Sequence, residues 1–236
     1  MAWDAALKIS KVKLQLFTEE DMYLFIESGI RGGISTITKR FAKANNDRID
    51  GYNPEEDVSH LLYIDANNLY GWAMSQLLPT HNFRWMDPDE VDGIIERIQE
   101  IADDSELGYI FEVDLHYPQQ LHDAHNGYPL APEHLEITED MLSPYQTSTY
   151  PTHRLRKTRK LAPNLYDKKN YIVHYRNLKY YLAMGMEVTR VHRVLEFNQS
   201  DWLKSYVDFN TEQRTLGTTD FEKSFFKLMN NSVFGE

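Results

Sequence analysis

The chain has 236 residues, of which 42% are apolar and 26% charged. This composition fits one large or two small globular domains and excludes a disordered or fibrous chain. It contains no cysteine, which excludes disulfides, thiolate zinc sites and cysteine nucleophiles and leaves His, Asp and Glu as metal ligands. The mean hydropathy is -0.57, and the Met1 end has no charged-then-apolar signal pattern, so we expect neither secretion nor a membrane partner.

The charges are segregated along the sequence. The net charge of -11 argues against a nucleic-acid-binding protein when it is taken alone. However, residues 87–142 hold sixteen Asp and Glu against one Arg, whereas residues 151–193 hold eleven Lys and Arg against two acidic residues. The second stretch is a candidate phosphate-binding surface. The alternative is two solvated faces of opposite sign.

The first third of the chain predicts a helix, a linker and a strand. Thr18 is predicted to cap a helix that ends at Gly29 in a left-handed conformation. A polar linker covers residues 43–57. The apolar run Ser59–Asp65 predicts a buried strand that ends in a carboxylate, and an amphipathic stretch over residues 69–77 follows it.

The remaining elements mix helices and strands. Asp87, Pro88 and Glu90 predict a helix start, and residues 109–116 alternate as a strand does. After a proline-rich connection, the pattern predicts a helix over 167–184 ending at Gly185, a strand over 187–197, and a last helix from a Thr219–Glu222 capping box to the chain end. Helices and strands do not alternate strictly, so the predicted class is α+β.

Two groups of residues carry chemistry at opposite ends of the chain. Asp65, at a strand tip with Tyr70 five residues later, places a hard-metal ligand beside a stacking platform. Lys227, Asn231 and Phe234 stand at i, i+4 and i+7 of a helix, a face that suits a nucleoside triphosphate. The alternatives are that Asp65 caps the next helix, that Lys227 is a solvated charge, and that the aromatics, with Trp72, are core residues.

Three further groups concern phosphate contacts and metals. The glycine amides of Gly32 and Gly33, next to Arg31, could approach phosphates closely. A basic run is a candidate DNA contact, with a solvated face or a localisation signal as the alternative; it comprises Arg154, Arg156, Lys157, Arg159 and Lys160. The cluster His116, His122, Asp123 and His125 matches no metal-ligand spacing, so we predict no metal there.

The order of these motifs resembles protein-primed B-family DNA polymerases of viral, organellar-plasmid and transposon type, over residues 29–235. The segment from Asp65 to Tyr70 is similar to the family's Asp-x-x-x-Leu-Tyr motif, and Lys227 to Gly235 to its Lys-x-x-x-Asn-Ser-x-Tyr-Gly motif. The segment 30–33 resembles its Tyr-x-Gly-Gly/Ala linker. The chain departs from the family at Ile30 and Phe234, which replace tyrosines, at Gly71, which replaces a proline, and at Glu236, where a basic residue is usual.

The resemblance implies specific roles. Asp65 would be the catalytic ligand of Mg²⁺ (or Mn²⁺), Tyr70 would pack against the incoming sugar, and Phe234 would lie under the templating base. Lys227 would meet triphosphate oxygens, with Asn231 on the same face. The implied partners are DNA template and primer, deoxynucleoside triphosphates and a terminal protein, and the implied activity is template-directed addition of deoxynucleotides by two-metal phosphoryl transfer.

The resemblance also implies a partial polymerase palm with an insertion and the start of the fingers. Residues 1–42 would be the exonuclease-to-polymerase linker, 58–86 a palm segment, 87–200 palm and insertion with the basic segment 151–193, and 201–236 the fingers helix. The second metal carboxylate is expected in an Asp-Thr-Asp turn beyond this sequence, so we expect a fragment that is inactive alone. The rival hypotheses are a non-enzymatic DNA-binding remnant and an unrelated α+β interaction module.

Overall fold

The computed structural model describes residues 2–39, 41–149 and 159–234. Its helices are α1 Ala2–Ser10, α2 Glu20–Gly29, α3 Leu69–Met74, α4 Pro88–Glu96, α5 His122–His125, α6 Pro144–Thr149, α7 Tyr175–Ala183, α8 Lys204–Leu216 and α9 Asp220–Asn231. Its strands are β1 Leu78–Trp85, β2 Leu107–His116, β3 Glu133–Glu136, β4 Arg159–Ala162, β5 Lys168–His174 and β6 Glu187–Ser200. The α+β mixture of the sequence prediction is present. In the described ranges, no helix is long and apolar enough to cross a membrane.

The body of the protein is a four-stranded antiparallel sheet in the order β1-β6-β2-β5, beside a two-stranded β3–β4 ribbon. The central strand β2 has Phe111 and Val113 completely buried. Helices α4 and α7 cover this face through Ile94 and Leu178, and α2 packs Phe25 on the opposite face. The predicted strands over 109–116 and 187–197 are confirmed.

Two predicted helix starts are confirmed. Asp87 and Glu90 form a capping box at the start of α4, and Thr219 and Glu222 form one at the start of α9. In the second box, the Thr219 hydroxyl accepts from the Glu222 amide at 3.2 Å. The side chain of each N-cap therefore satisfies an amide that has no helical partner. Helix α9 ends at Asn231, whereas the sequence pattern predicts a helix that continues to the end of the chain.

The helix predicted over 167–184 is wrong in its first half. Residues 168–174 form β5, whose Tyr171, Ile172 and Val173 pair with β2, and only then does α7 begin. Pairing with a buried strand overrides the helical periodicity, and β-branched side chains fit the sheet. The predicted end of the helix at Gly185 is confirmed to within two residues, since α7 ends at Ala183 and Gly185 has a left-handed φ of +96°.

The predicted ends of α2 are also wrong. Glu19 rather than Thr18 is the N-cap, and Gly29 is the last helical residue without a left-handed φ. A Cβ on Gly29 would lie 2.8 Å from Cγ2 of Ile172. Glycine is needed here because the helix end approaches β5 closely.

The strand predicted over Ser59–Asp65 is absent. Ser59 makes an isolated bridge with Asn45, and the following residues are irregular. The apolar side chains are exposed, from 60% for Leu61 to 99% for Tyr63. Within the described ranges no strand pairs with this segment, so its apolar pattern has neither a ladder nor a core to join.

Lys168, the first residue of β5, is a buried charge. Its side chain is 0% exposed, and its ammonium donates to Glu133 at 2.9 Å and also to Asn164. Burial lowers the pKa of Lys168, and the Glu133 carboxylate opposes that change. This contact ties β5 to the β3–β4 ribbon.

Candidate functional site

A cleft of about 470 Å³ lies between the segment 65–70 and helices α8 and α9. It brings together four predicted site residues that are far apart in sequence, Asp65, Tyr70, Lys227 and Asn231. The described residues that line the cleft are Asp65, Ala66, Asn67, Asn68, Leu69, Tyr70, Arg214, Lys227 and Asn231. The two motifs therefore face the same space.

A tight turn positions the first wall of the cleft. Asn68 has a left-handed backbone (φ 55°) and is the N-cap of α3. Its carbonyl accepts from the Trp72 amide at 3.0 Å. A Cβ on Gly71 would collide with the side-chain amide of Asn68, so a larger residue at position 71 would displace that side chain.

Asp65 does not cap the helix that follows it. The N-cap is Asn68, and α3 has no side-chain capping bond. The capping alternative for Asp65 is therefore wrong. Its carboxylate remains at the rim of the cleft, without a hydrogen bond to any residue in the described ranges.

The opposite wall is cationic. Lys227 comes from α9, and Arg214 comes from the last turn of α8. Within the part of the chain that the structure describes, neither is held in an ion pair. Among the described lining residues, these two cations outnumber the one carboxylate, that of Asp65, so this part of the lining is net positive and favours an anionic ligand.

Two aromatic rings stack beside the cleft. The rings of Tyr70 and Phe234 lie 4.6 Å apart at an interplanar angle of 26°. Tyr70 and Trp72 are each 62% exposed, and Phe234 is 37% exposed. The core alternative is therefore wrong for Tyr70 and Trp72, while the Tyr70–Phe234 pair offers a flat apolar face next to the cations.

Arg31 is engaged within the protein. Its guanidinium donates to the Ile172 carbonyl at 2.6 Å and to the Gly29 carbonyl at 3.1 Å, and it lies 3.8 Å from the ring centroid of Tyr171. Arg31 thus anchors the segment after α2 to β5. Gly32 and Gly33 follow on the surface, and Gly33 has φ +88°.

Two residues of the basic run, Arg159 and Lys160, lie in the described part of the chain. Arg159 and Lys160 are exposed on β4, where Arg159 donates to the His134 carbonyl at 2.7 Å. Arg154, Arg156 and Lys157 lie outside the described residues. Neither Arg159 nor Lys160 is among the described residues that line the cleft.

The histidine cluster makes hydrogen bonds with its neighbours. His116 pairs with Asp167 at 2.9 Å, and His125 bonds the Tyr117 hydroxyl at 2.9 Å. His122 Nε2 lies 3.2 Å from the Tyr117 carbonyl oxygen. Across the described ranges, no group of three or more His, Asp or Glu side chains could hold a metal ion.

Sequence reasoning misses Arg214. No motif marks this residue, and its place at the cleft depends on how α8 packs against α9. The available signal is its position in the last turn of a helix shortly before the Thr219 capping box, on the element that precedes α9.

Comparison with known proteins gives only distant structural similarity. No family model matches, and no curated protein matches. Two solved structures are similar: phi29 DNA polymerase with primer-template DNA and incoming nucleotide (16% identity, TM-score 0.47, 99% of this chain and 35% of that chain), and phi29 DNA polymerase with primer-template DNA in the post-translocation binary complex (15%, 0.48, 98% and 33%). The chain spans about a third of the length of these structures.

Proposed function

We propose that this chain is a segment of a DNA-directed DNA polymerase, and that its cleft holds the incoming deoxynucleoside triphosphate. One observation carries the proposal: both motifs contribute to one cleft, with a carboxylate from the first and an ammonium and an amide from the second. If the aromatic residues were core residues and the charges only solvated, the two motifs would not be expected to line the same cleft.

The cations account for the triphosphate. Lys227 and Arg214 donate charge-assisted hydrogen bonds to phosphate oxygens, and the planar guanidinium can engage two oxygens at once. The Asn231 amide adds a neutral donor on the same wall. Tyr70 would pack against the sugar of the nucleotide, and Phe234, which stacks on Tyr70, would lie under the templating base.

Asp65 fits a metal that arrives with the nucleotide. Mg²⁺ is commonly held by one or two carboxylates together with waters and substrate phosphates rather than by a protein cage. A single carboxylate facing a phosphate-binding wall matches that donor set, so Asp65 would be one ligand of Mg²⁺ (or Mn²⁺). The ion would neutralise phosphate charge. Asp65 would hold that ion in the cleft that Lys227 also lines.

The proposed DNA partner would meet other surfaces. Arg159 and Lys160 on β4, with Arg154, Arg156 and Lys157 before them, would bind template or primer phosphates without reading sequence. The exposed amides of Gly32 and Gly33 would approach the backbone, and Arg31 would hold that segment in place. A terminal protein that primes synthesis is a further proposed partner of the complete polymerase.

Nucleotide titration tests the cleft. A fluorescent deoxynucleoside triphosphate is titrated into the chain with Mg²⁺, and the dissociation constant is compared for wild type, Lys227→Ala and Lys223→Ala. Removing one charge-assisted hydrogen bond costs ~1.5–3 kcal/mol, so Lys227→Ala should weaken binding by about 10- to 150-fold. Lys223, exposed one turn earlier on α9, is the matched control and should change binding less than twofold.

Three outcomes would count against the proposal or redirect it. Equal affinity for the corresponding nucleoside without phosphates would exclude the triphosphate role of the cleft. Salt-dependent DNA binding without any nucleotide binding would favour the DNA-binding remnant. Binding of neither would favour the unrelated interaction module.

A salt series tests the basic run. Replacing all five of its basic residues by alanine should reduce the slope of log affinity for DNA against log salt, by up to about 0.7 to 0.9 for each phosphate that the protein no longer neutralises. Substituting the exposed Lys223 alone is the control. An unchanged slope in the fivefold variant would return the run to a solvated face.

A further inference from the structure

The two helices that carry Arg214 and Lys227 are joined by a buried amide bridge. Asn210 on α8 is 2% exposed and Asn230 on α9 is 6% exposed. The Asn210 side chain donates to Asn230 Oδ1 at 3.0 Å and to the Tyr206 carbonyl at 3.1 Å. The nucleotide-binding proposal gives this bridge no role.

A second polar contact reinforces the bridge. Tyr206, which is 1% exposed, donates its hydroxyl to the Met229 carbonyl at 2.9 Å. The last turn of α9 is therefore held to α8 at two successive residues, Met229 and Asn230. These two contacts fix both the rotation and the axial position of α9 relative to α8.

The bridge lies one turn away from each cation. Asn210 precedes Arg214 by four residues, so both lie on the same side of α8. Asn230 follows Lys227 by three residues and directly precedes Asn231. A shift of α9 by one turn would carry Lys227 about 5.4 Å along the helix axis relative to Arg214.

Among the described residues, apolar packing between the two helices lies on one side of the bridge. Leu203 at the N-cap of α8 and Tyr206 and Val207 in its first turn are buried, and Met229 near the end of α9 and Val233 just after it pack against them. Beyond Asn210, the second half of α8 is largely exposed. Apolar contacts are also non-directional, whereas one amide–amide hydrogen bond is made only in one register, which is the best-attested use of a buried polar pair.

We propose that the Asn210–Asn230 bridge sets the register of α8 against α9 and thereby the separation of Arg214 and Lys227 across the cleft. Asn210 and Asn230 are positioning residues and need not touch the nucleotide. The inference rests on the proposed nucleotide site for its functional part, while the register itself is independent of any ligand.

The experiment measures the register and the binding separately. Because the chain has no cysteine, spin labels can be attached at Ser205→Cys and Ser224→Cys, which are exposed positions on α8 and α9. Electron–electron double resonance then gives the distance distribution between the helices in the full chain. Titration with a fluorescent deoxynucleoside triphosphate and Mg²⁺ gives the affinity.

The central variant is Asn210→Leu with Asn230→Leu, which removes both partners together and leaves no unpaired amide, so that folding is retained. We expect a broadened or shifted distance distribution and a five- to twentyfold weaker affinity. A folded double variant with the single wild-type distance would overturn the register claim. An altered distance with unchanged affinity would overturn the positioning claim.

Two further variants separate the bridge from general stability. Asn230→Asp keeps an acceptor oxygen for the Asn210 amide and should retain the wild-type distance between the spin labels. A changed distance in this variant would count against the bridge. Val207→Ala removes a buried apolar side chain of α8 and should lower stability without moving the distance or the affinity. Absence of nucleotide binding in the labelled wild type would contradict the proposed function alone, because the distance measurement would still decide the register.

Discussion

Two apolar segments of this chain have similar sequence patterns and opposite fates. Tyr109–Val113 lies in β2 between two partner strands, with Phe111 and Val113 completely buried. Leu61–Ile64 is at least 60% exposed at every residue and makes no ladder with the described part of the chain. An apolar run becomes a strand only where neighbours take up its backbone groups.

Hydrogen exchange should show the largest difference between the two segments. Amides of β2 should open only with global unfolding, which in domains costs ~5–15 kcal/mol, whereas residues 61–64 should exchange almost as fast as an unfolded chain. Exchange followed by mass spectrometry checks both segments in one sample. Strong protection at Leu61–Ile64 would show that this run is paired, for example with a second copy of the chain.

Truncating one ring in each segment sharpens the comparison. Phe111→Ala should lower the free energy of unfolding by about 3–5 kcal/mol, because it empties a fully buried site. Tyr63→Ala, at a side chain that is 99% exposed, should change it by less than about 0.5 kcal/mol. Denaturant unfolding of both variants measures the difference. A large decrease with Tyr63→Ala would contradict the exposed position of this ring.

Acid should destabilise the sheet that contains β2 and should leave the exposed segment Leu61–Ile64 unchanged. Burial lowers the pKa of His174, the last residue of β5, to about 4, and repulsion from Arg176 adds to this. The unfolded chain binds this proton near pH 6.5. Stability should therefore fall by roughly 3 kcal/mol as the pH drops from 6.5 to 4, and should level off below that range as far as this group is concerned.

The control for the acid effect is His174→Asn. In the wild type, Nδ1 of His174 accepts a hydrogen bond from the Arg176 backbone amide at 3.4 Å. An asparagine side chain keeps an acceptor for this amide but does not titrate. The variant should lose much less stability than wild type between pH 6.5 and 4 in denaturant titrations. Parallel pH curves for the two proteins would show that His174 is not the group responsible.

The elements that can be predicted from sequence are those with local determinants. The capping boxes at Asp87 and Thr219 and the alternation in β2 identify α4, α9 and the central strand without knowledge of the rest of the fold. The sequence of β5 predicts a helix instead, because its strand character depends on pairing with β2. β1 escapes prediction because its apolar alternation is interrupted by polar residues and by register shifts against β6.

Some residues of the candidate site can likewise be predicted from the sequence, and others cannot. Motif spacing identifies Asp65, Tyr70, Lys227 and Asn231, and they line the same cleft. Arg214 cannot be identified from sequence, because its place depends on the packing of α8 against α9. The sequence pattern predicts phosphate contacts for Arg31, whereas its guanidinium contacts Ile172 and Tyr171 within the protein. These contacts join residues that are distant in sequence, so the sequence does not predict them.

Because the ammonium of Lys168 is buried, its chemical modification reports on local opening of the protein. Acylating reagents need an unprotonated, solvent-accessible amine, and in the native state Lys168 is enclosed by Glu133 and Asn164. Lys169, its neighbour in sequence, is 72% exposed. Modification of Lys168 relative to Lys169 therefore counts the openings of the contact between β5 and the β3–β4 ribbon, and a single peptide carries both the signal and its internal reference.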